Sequence, residues 1–136
     1  MERRLFIVRH GKSSWDHEGL DDPFRPLAER GTRDAGTMAR RLKEKEEIPE
    51  RLFSSYATRA LNTALIMSDI WGHTPDALQI HTDLYMASLS EIKQVIATAS
   101  SDVTSLAVFG HNPSFTDFSN LFLPQPLDNL PTAGVV

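Results

Sequence analysis

Short apolar runs alternate with amphipathic segments along this chain, and this alternation limits the fold more than any other feature. The apolar runs have the length of buried strands. They are Leu5–Val8, Leu52–Phe53, Leu106–Phe109 and a weaker run at Leu78–Ile80. Strands that alternate with helices predict a mainly parallel sheet covered on both faces. We therefore expect an α/β fold, a three-layer α/β/α sandwich.

Three segments space their apolar residues as helices that bury one face. They are Thr32–Glu47, Thr58–Trp71 and Ser88–Ser100. Gly72 stands where a C-terminal cap belongs, and Ser88 and Glu91 have the spacing of a capping box. The segments Gly11–Glu29 and Phe122–Pro131 are rich in turn and polar residues, so we expect both to be loops.

The length of 136 residues predicts one domain over residues 1–136. Residues Thr132–Val136 resemble the start of a strand, so we expect the natural chain to continue beyond them. The absence of cysteine excludes a disulfide scaffold and a cysteine nucleophile. A net charge of −4 argues against a nucleic-acid partner, and no apolar run is long enough for a membrane span. We expect a cytoplasmic protein without a membrane partner.

Two of the strong strands end in a histidine motif. Leu5–Val8 continues into Arg9-His10-Gly11, and Leu106–Phe109 continues into Gly110-His111-Asn112. Because parallel strands share one carboxyl edge, both imidazoles should emerge there, and neighbouring strands would bring them to one pocket. Such a histidine can be a metal ligand, an acid–base group or a nucleophile. The cationic Arg9 beside His10 disfavours a metal, so we expect none.

Two further arginines fit the same edge of the sheet. Arg59 falls in the first turn of a predicted helix, where a cation opposes the helix dipole and is better explained by an anionic ligand. Arg25 can reach the edge from the long loop. Arginines bind phosphate through a planar fork, so these residues predict a cationic pocket for a phosphoryl group. A neutral imidazole in that pocket can act as the nucleophile.

The motif Arg9-His10-Gly11 directly after the first strand resembles the signature of the histidine phosphatase superfamily, which has the phosphoglycerate-mutase-like fold. Three later motifs follow in the order of that family. They are Arg25-Pro26-Leu27-x-x-x-Gly31, Ser54-Ser55-x-x-x-Arg59-Ala60-x-x-Thr63 and Gly110-His111-Asn112-Pro113. The run from Arg9 to Trp15 and the motif Leu84-Tyr85-x-Ala87 most resemble the small phosphohistidine phosphatase branch, named after SixA.

This resemblance implies that His10 becomes phosphorylated. It also implies that Arg9, Arg59 and a protonated His111 hold the phosphoryl oxygens. The residues expected to contact the substrate around them are Ser13, Arg25 and Asn112. The family needs neither a metal nor an organic cofactor, so we expect no cofactor here.

The chain departs from the family pattern at the proton donor. The mutase and acid-phosphatase branches carry a glutamate two residues after a leucine, where this chain has Met86 after Leu84. This departure disfavours a mutase and leaves the general acid open. The candidates are Asp16, Asp22, Asp83 and Glu91, or no residue at all. A good leaving group, such as the imidazole of a phosphohistidine, lessens the need for a proton donor.

The sequence thus predicts a metal-independent phosphatase whose phosphate-bearing substrate is a phosphohistidine on a protein. A phosphatase of small phosphomonoesters with the same fold is an alternative. An inactive module that binds phosphate or a phosphoprotein is another. The remaining histidines, His17, His73 and His81, stand among polar or turn residues and are expected to be solvated. The oligomeric state is left open.

Overall fold

The computed structural model describes residues 3–16 and 19–136. Its strands are β1 (Arg4–Arg9), β2 (Arg51–Ser54), β3 (Leu78–Ile80) and β4 (Ser105–Gly110). They form one parallel sheet in the order β1-β4-β2-β3. The expected strands are confirmed: β3 has the predicted bounds, and the others are one residue longer at each end.

The helices are α1 (Glu29–Glu44), α2 (Thr58–Trp71), α3 (Leu89–Ala97) and α4 (Ser114–Asn120). Helix α2 has the predicted bounds, and Gly72 caps it with a positive φ of 79°. Helix α3 begins after Ser88, whose side chain forms the predicted capping box with Glu91. Helix α4 was not predicted, because its seven residues are too few to show helical periodicity. Short 3-10 turns lie at Asp22–Phe24, Pro75–Ala77 and Thr82–Leu84.

Helix α1 begins and ends three residues before its predicted bounds. Its start is fixed by the preceding loop, because the Ala28 amide donates to the carbonyl of Lys12 at 2.7 Å. A loop was expected over Gly11–Glu29, and its described residues before α1 contain, as regular structure, only the Asp22–Phe24 turn and an isolated antiparallel bridge between Ser13 and Leu27. The start of α1 is therefore joined to the loop that follows β1.

Apolar side chains on the two faces of the sheet form two separate cores. Ile7 and Val108 pack with residues of α3 and α4 such as Ile92 and Phe115. The alternate strand positions pack against α1 and α2; the side chains in that second core include Phe6, Val8, Ala107, Phe109, Ala39 and Met67. Burial on both faces explains why the strands appear as continuous apolar runs. The three-layer α/β/α architecture is confirmed.

The C-terminal residues pair with β1 on the side away from β4. Val135 forms an antiparallel bridge with Val8, and Ile7 and Val136 exchange two backbone hydrogen bonds of 3.0 Å. The strand-like character predicted for Thr132–Val136 is therefore realised in this short pairing. Among the described residues, no helix combines the length and the hydrophobicity needed to cross a bilayer.

Candidate active site

The two histidine motifs meet because β1 and β4 are neighbours in the sheet. Arg9 pairs with Gly110 at the carboxyl ends of the strands, so His10 and His111 follow side by side. The His10 amide donates to the Gly110 carbonyl at 3.1 Å, and the two imidazole centroids are 5.2 Å apart. The two strands are neighbours, as a shared pocket for the two histidines requires.

A pocket of about 320 Å³ opens at this edge, and every site residue predicted from the sequence lines it. These residues are Arg9, His10, Ser13, Arg25, Arg59, His111 and Asn112. Lys12, Trp15 and Thr132 complete the lining. The structure thus gathers at one point residues that are spread over more than 100 positions of the chain.

The imidazole of His10 is held in one orientation by its own loop. Its Nδ1 lies 2.6 Å from the carbonyl oxygen of Gly11, which can only accept, so Nδ1 carries the proton and Nε2 keeps its lone pair. Burial lowers the pKa of His10 to about 4, against the effect of that hydrogen bond and together with the charges of Arg59 and Arg9. At neutral pH, His10 is therefore an uncharged imidazole, and its Nε2 has no hydrogen-bond partner in the part of the chain that the structure describes.

The imidazole of His111 is oriented by the loop after β2. Its Nε2 lies 2.9 Å from the hydroxyl oxygen of Ser55, which also accepts the Ala57 amide. Within the described residues this hydroxyl has no other acceptor, so it is assigned as the donor to Nε2, which leaves the proton of the neutral imidazole on Nδ1. Burial, then His10 and Arg59, lower the pKa of His111 to about 3. His111 is therefore neutral rather than protonated as expected, but its Nδ1–H remains a donor.

Three buried nitrogens of the pocket have no hydrogen-bond partner within residues 3–16 and 19–136. They are Nε of Arg9, Nε of Arg59 and Nδ1 of His111. Burial also lowers the pKa of Arg9, whose Nη1 donates to the Leu130 carbonyl at 2.9 Å. Buried donors are normally paired, so three unpaired donors in side chains of one pocket provide hydrogen bonds for an anion.

The loop after β1 is held by residues of the other motifs. The Gly11 amide donates to Thr63 Oγ1 at 2.9 Å, and that hydroxyl donates to the Arg59 carbonyl at 2.7 Å. Gly31 packs so closely that a Cβ there would lie 2.1 Å from the carbonyl oxygen of Lys12. The sequence motifs include Thr63 and Gly31 but did not predict a role for either residue. Both fix the position of the loop that carries His10.

Arg25 lies at the rim of the pocket and is surrounded by partners. Its Nη1 donates to Ser13 Oγ at 2.8 Å, and its Nε donates to Asp22 Oδ1 at 3.1 Å. The indole of Trp15, 72% exposed, covers the guanidinium at 3.5 Å. Trp15 thus forms a wall of the pocket.

Asn112 lines the pocket, but its amide also binds other parts of the protein. Its Nδ2 donates to the Leu130 carbonyl at 3.1 Å and to the side chain of Asn129 at 2.8 Å. Its Oδ1 accepts the amide and the hydroxyl of Thr116. Asn112 therefore joins the start of α4 to the segment at Asn129 and Leu130.

The four candidate proton donors differ in their surroundings. Burial opposes ionisation of Asp22, but hydrogen bonds from Tyr85 and Arg59 outweigh it and lower its pKa to about 2. Glu91 accepts the Ser88 amide in the capping box, while Asp16 and Asp83 are exposed and outside the lining of the pocket. In the described structure, none of the four lines the pocket, and Asp22 lines the cavity beside it.

A larger cavity of about 670 Å³ adjoins the pocket and shares Arg59, His111 and Asn112 with it. Tyr85 also lines this cavity, with its ring edge-on to His111 at 5.3 Å. Met86, which takes the place of the family glutamate, is 79% exposed. The sequence showed Tyr85 only as part of a motif. In the structure, Tyr85 contacts both Asp22 and His111.

The other histidines lie away from the pocket. His73 is half-buried, with its Nε2 2.7 Å from the Pro49 carbonyl, and His81 packs against Phe53 with ring centroids 4.3 Å apart. The expectation that both are solvated was wrong, because neighbouring elements cover them. His17 lies outside the described residues. Among residues 3–16 and 19–136, no three His, Asp or Glu side chains are grouped closely enough to hold a metal ion.

The sequence profile of the histidine phosphatase superfamily (branch 1) matches residues 5–94, about two thirds of the chain. The chain belongs to the histidine phosphatase superfamily. A solved structure assigned as the phosphohistidine phosphatase SixA from Agrobacterium tumefaciens is similar over 99% of this chain and 90% of its own, with a TM-score of 0.88 and 25% identity. These findings confirm the phosphoglycerate-mutase-like fold and the resemblance to the SixA branch.

Curated relatives extend the comparison by sequence. An uncharacterized chloroplast protein of Arabidopsis thaliana is 27% identical over 129 residues, which are 89% of this chain and 59% of the relative. A 2,3-bisphosphoglycerate-dependent phosphoglycerate mutase of Bifidobacterium longum is 38% identical over 73 residues, 51% of this chain and 29% of the mutase. The match therefore covers less than two thirds of the length of each of these relatives.

Proposed function

We propose that this member of the histidine phosphatase superfamily is a phosphatase that acts through a phosphohistidine intermediate on His10. The observation that carries the proposal is the 2.6 Å contact between His10 Nδ1 and the Gly11 carbonyl. That contact leaves Nε2 as the free nucleophile in a pocket with unpaired donors on Arg9, Arg59 and His111. Phosphoryl transfer depends mainly on such positioning and charge stabilisation.

The reaction has two displacements at phosphorus. His10 Nε2 first attacks the phosphorus, and the bond to the leaving group breaks with its electron pair going to that group. A phosphohistidine that carries a proton on its other ring nitrogen leaves as neutral imidazole, whereas p-nitrophenyl phosphate releases the phenolate. Arg9, Arg59 and His111 donate to the phosphoryl oxygens as charge develops. Water then attacks the phosphorus of phospho-His10, the P–N bond breaks, and inorganic phosphate and the neutral imidazole are released.

We further propose that the substrate is a phosphohistidine on a protein. An imidazole leaving group needs little help from a general acid. This requirement agrees with Met86 at the glutamate position and with the ionised state of Asp22. The similarity to a structure assigned as SixA, a phosphohistidine phosphatase, supports the same substrate class. Arg9, Arg25 and Arg59 supply the positive charge and the neutral His111 supplies a further donor, so the proposed reaction requires no metal.

The first test is hydrolysis of p-nitrophenyl phosphate in excess EDTA by the wild type and by His10→Ala. Loss of the nucleophile should lower the rate by about 10⁴-fold or more. The control is His73→Ala, a half-buried histidine outside the pocket, which should keep the wild-type rate. Circular dichroism must show that both variants fold. Wild-type activity in His10→Ala would refute the nucleophile, and loss of activity in EDTA would refute metal independence.

The second test concerns the intermediate and the substrate. Brief incubation with a radiolabelled phosphohistidine protein should leave an acid-labile phosphoryl group on the wild type and none on His10→Ala. The value of kcat/KM for that protein should exceed the value for small phosphomonoesters. A preference for small esters would favour the phosphomonoesterase. Binding of inorganic phosphate without turnover of any substrate would favour the inactive module.

A further inference from the structure

Asp22 joins three functional side chains of the pocket and the adjoining cavity. Its Oδ1 accepts Nε of Arg25 at 3.1 Å. Its Oδ2 accepts Nη2 of Arg59 at 2.9 Å and also the hydroxyl of Tyr85. Its backbone carbonyl accepts Nη1 of Arg59 at 2.8 Å. One residue therefore binds both terminal nitrogens of Arg59, one nitrogen of Arg25 and the phenol of Tyr85.

These contacts fix the direction of the Arg59 guanidinium. With Nη1 and Nη2 both bound to Asp22, the plane of the guanidinium is set, and the buried Nε has no partner among the described residues. A fixed planar fork loses little further entropy when it binds an oxyanion. The side chain of Arg59 is 7% exposed, whereas that of Asp22, which lines the adjoining cavity, is 46% exposed.

The carboxylate of Asp22 is poorly suited to donate a proton. Both of its oxygens accept hydrogen bonds from Arg25, Arg59 and Tyr85, and all of these bonds favour the ionised form. A general acid must instead carry a proton at the working pH. The contacts of Asp22 therefore support a role that acts through its neighbours.

We propose that Asp22 is a positioning residue, which holds Arg59, Arg25 and Tyr85 in the arrangement that receives the phosphoryl group, and is not the proton donor to the leaving group. The proposal rests on the proposed phosphatase function. Positioning by Asp22 and the charge of Asp22 predict opposite changes in the affinity for phosphate when Asp22 is removed. Asp22 places a negative charge beside an anion site, so on charge alone its removal should strengthen phosphate binding. If Asp22 positions the arginines, its removal should weaken phosphate binding.

The first experiment measures the affinity for inorganic phosphate by isothermal titration calorimetry at pH 7. Asp22→Asn keeps the size of the side chain but replaces one acceptor with an NH2 group, which cannot accept from the arginines. We expect the Kd for phosphate to rise about tenfold. The matched control is Asp21→Asn, an exposed neighbour whose side chain does not cap the 3-10 turn; its Kd should stay unchanged. An unchanged or lower Kd in Asp22→Asn would overturn the proposal.

Tyr85→Phe provides a second and milder variant, should Asp22→Asn fail to fold. It removes one hydrogen bond to Asp22 and keeps the ring beside His111. We expect the Kd for phosphate to rise about threefold, in the same direction as in Asp22→Asn. A lower Kd would count against positioning by Asp22. Neither binding measurement requires turnover, so an inactive wild type would refute the proposed function while this inference is still tested.

The second experiment separates positioning from proton donation. Phenyl phosphate has a poorer leaving group than p-nitrophenyl phosphate and depends far more on a general acid. If Asp22 positions the arginines, Asp22→Asn should lower kcat/KM for both esters by the same factor, about 10- to 100-fold. A loss at least tenfold greater for phenyl phosphate would show that Asp22 is the acid and would overturn the proposal.

Discussion

The two edges of the sheet differ in how their polar groups are paired by hydrogen bonds. At the amino edge, the carboxylate of Glu50 accepts the amides of Thr104 and Ser105 and the hydroxyl of Thr104. Arg3 Nε donates to the Val103 carbonyl there at 3.0 Å. At the carboxyl edge, the unpaired nitrogens of the pocket remain buried without partners among the described residues.

This contrast separates residues that stabilise the fold from residues that prepare a site. Hydrogen bonds between Glu50 and β4 close the amino edge and contribute to stability. Unpaired donors and neutral buried imidazoles at the carboxyl edge cost stability, because polar groups lose their hydration without gaining partners. Natural sites accept such a cost where a ligand supplies the missing partners. Changes at the two edges should therefore have opposite effects on activity and stability.

Among the changes that compare the two edges, Arg9→Met should have the largest effect, and that effect is on activity. This change removes a half-buried cation and its buried, unpaired Nε but keeps the length of the side chain. The rate of p-nitrophenyl phosphate hydrolysis should fall about 10²- to 10³-fold, the usual cost of one lost donor to a developing charge. The free energy of unfolding in urea should stay the same or rise, because the Leu130 carbonyl keeps its bond from Asn112. A large loss of stability would contradict the contrast between the edges.

The second-largest effect is expected in the free energy of unfolding, which should depend on pH through the two histidines of the carboxyl edge. The folded-state pKa values of His10 and His111, about 4 and about 3, lie below the ordinary value of 6.5. As the pH falls below 6.5, the unfolded chain binds protons that the folded chain excludes. The free energy of unfolding should fall by about 1.4 kcal/mol per pH unit for each histidine within this window. His111→Asn should show a shallower decline between pH 6 and pH 4.5, and a decline as steep as that of the wild type would contradict the assignment.

The smallest effect is expected at the amino edge, from Glu50→Gln. Hydrogen bonds from Thr104 and Ser105 lower the pKa of Glu50 below its ordinary value of 4.5. The substitution should lower the free energy of unfolding at pH 7 by about 1 kcal/mol and leave phosphatase activity unchanged. Because protonation removes the wild-type advantage, the difference should shrink as the pH falls below 4.5. A fall in kcat/KM would show that the amino edge also supports the site.

Local patterns predicted most of the fold, and their failures have a physical cause. Helix α2 and strand β3 keep their predicted bounds, because apolar spacing, flanking turn residues and Gly72 agree there. Helix α1 starts early because the loop after β1 binds Ala28, a contact between distant segments. His81 was predicted to be solvated because its sequence neighbours are polar, but it packs against Phe53, 28 residues away. Burial depends on neighbours in space, which a local pattern does not contain.

The sequence by itself determined the alternation of strands and helices, the histidines that follow β1 and β4, and the arginines that make the site positive despite a net charge of −4. These features depend on residue type and short-range order. The tertiary structure decided which nitrogen of His10 is free, which nitrogen of His111 is a donor, and how Asp22 holds Arg59 across 37 positions. Hydrogen bonds act over about 3 Å, so their partners are set only when the fold brings distant residues together.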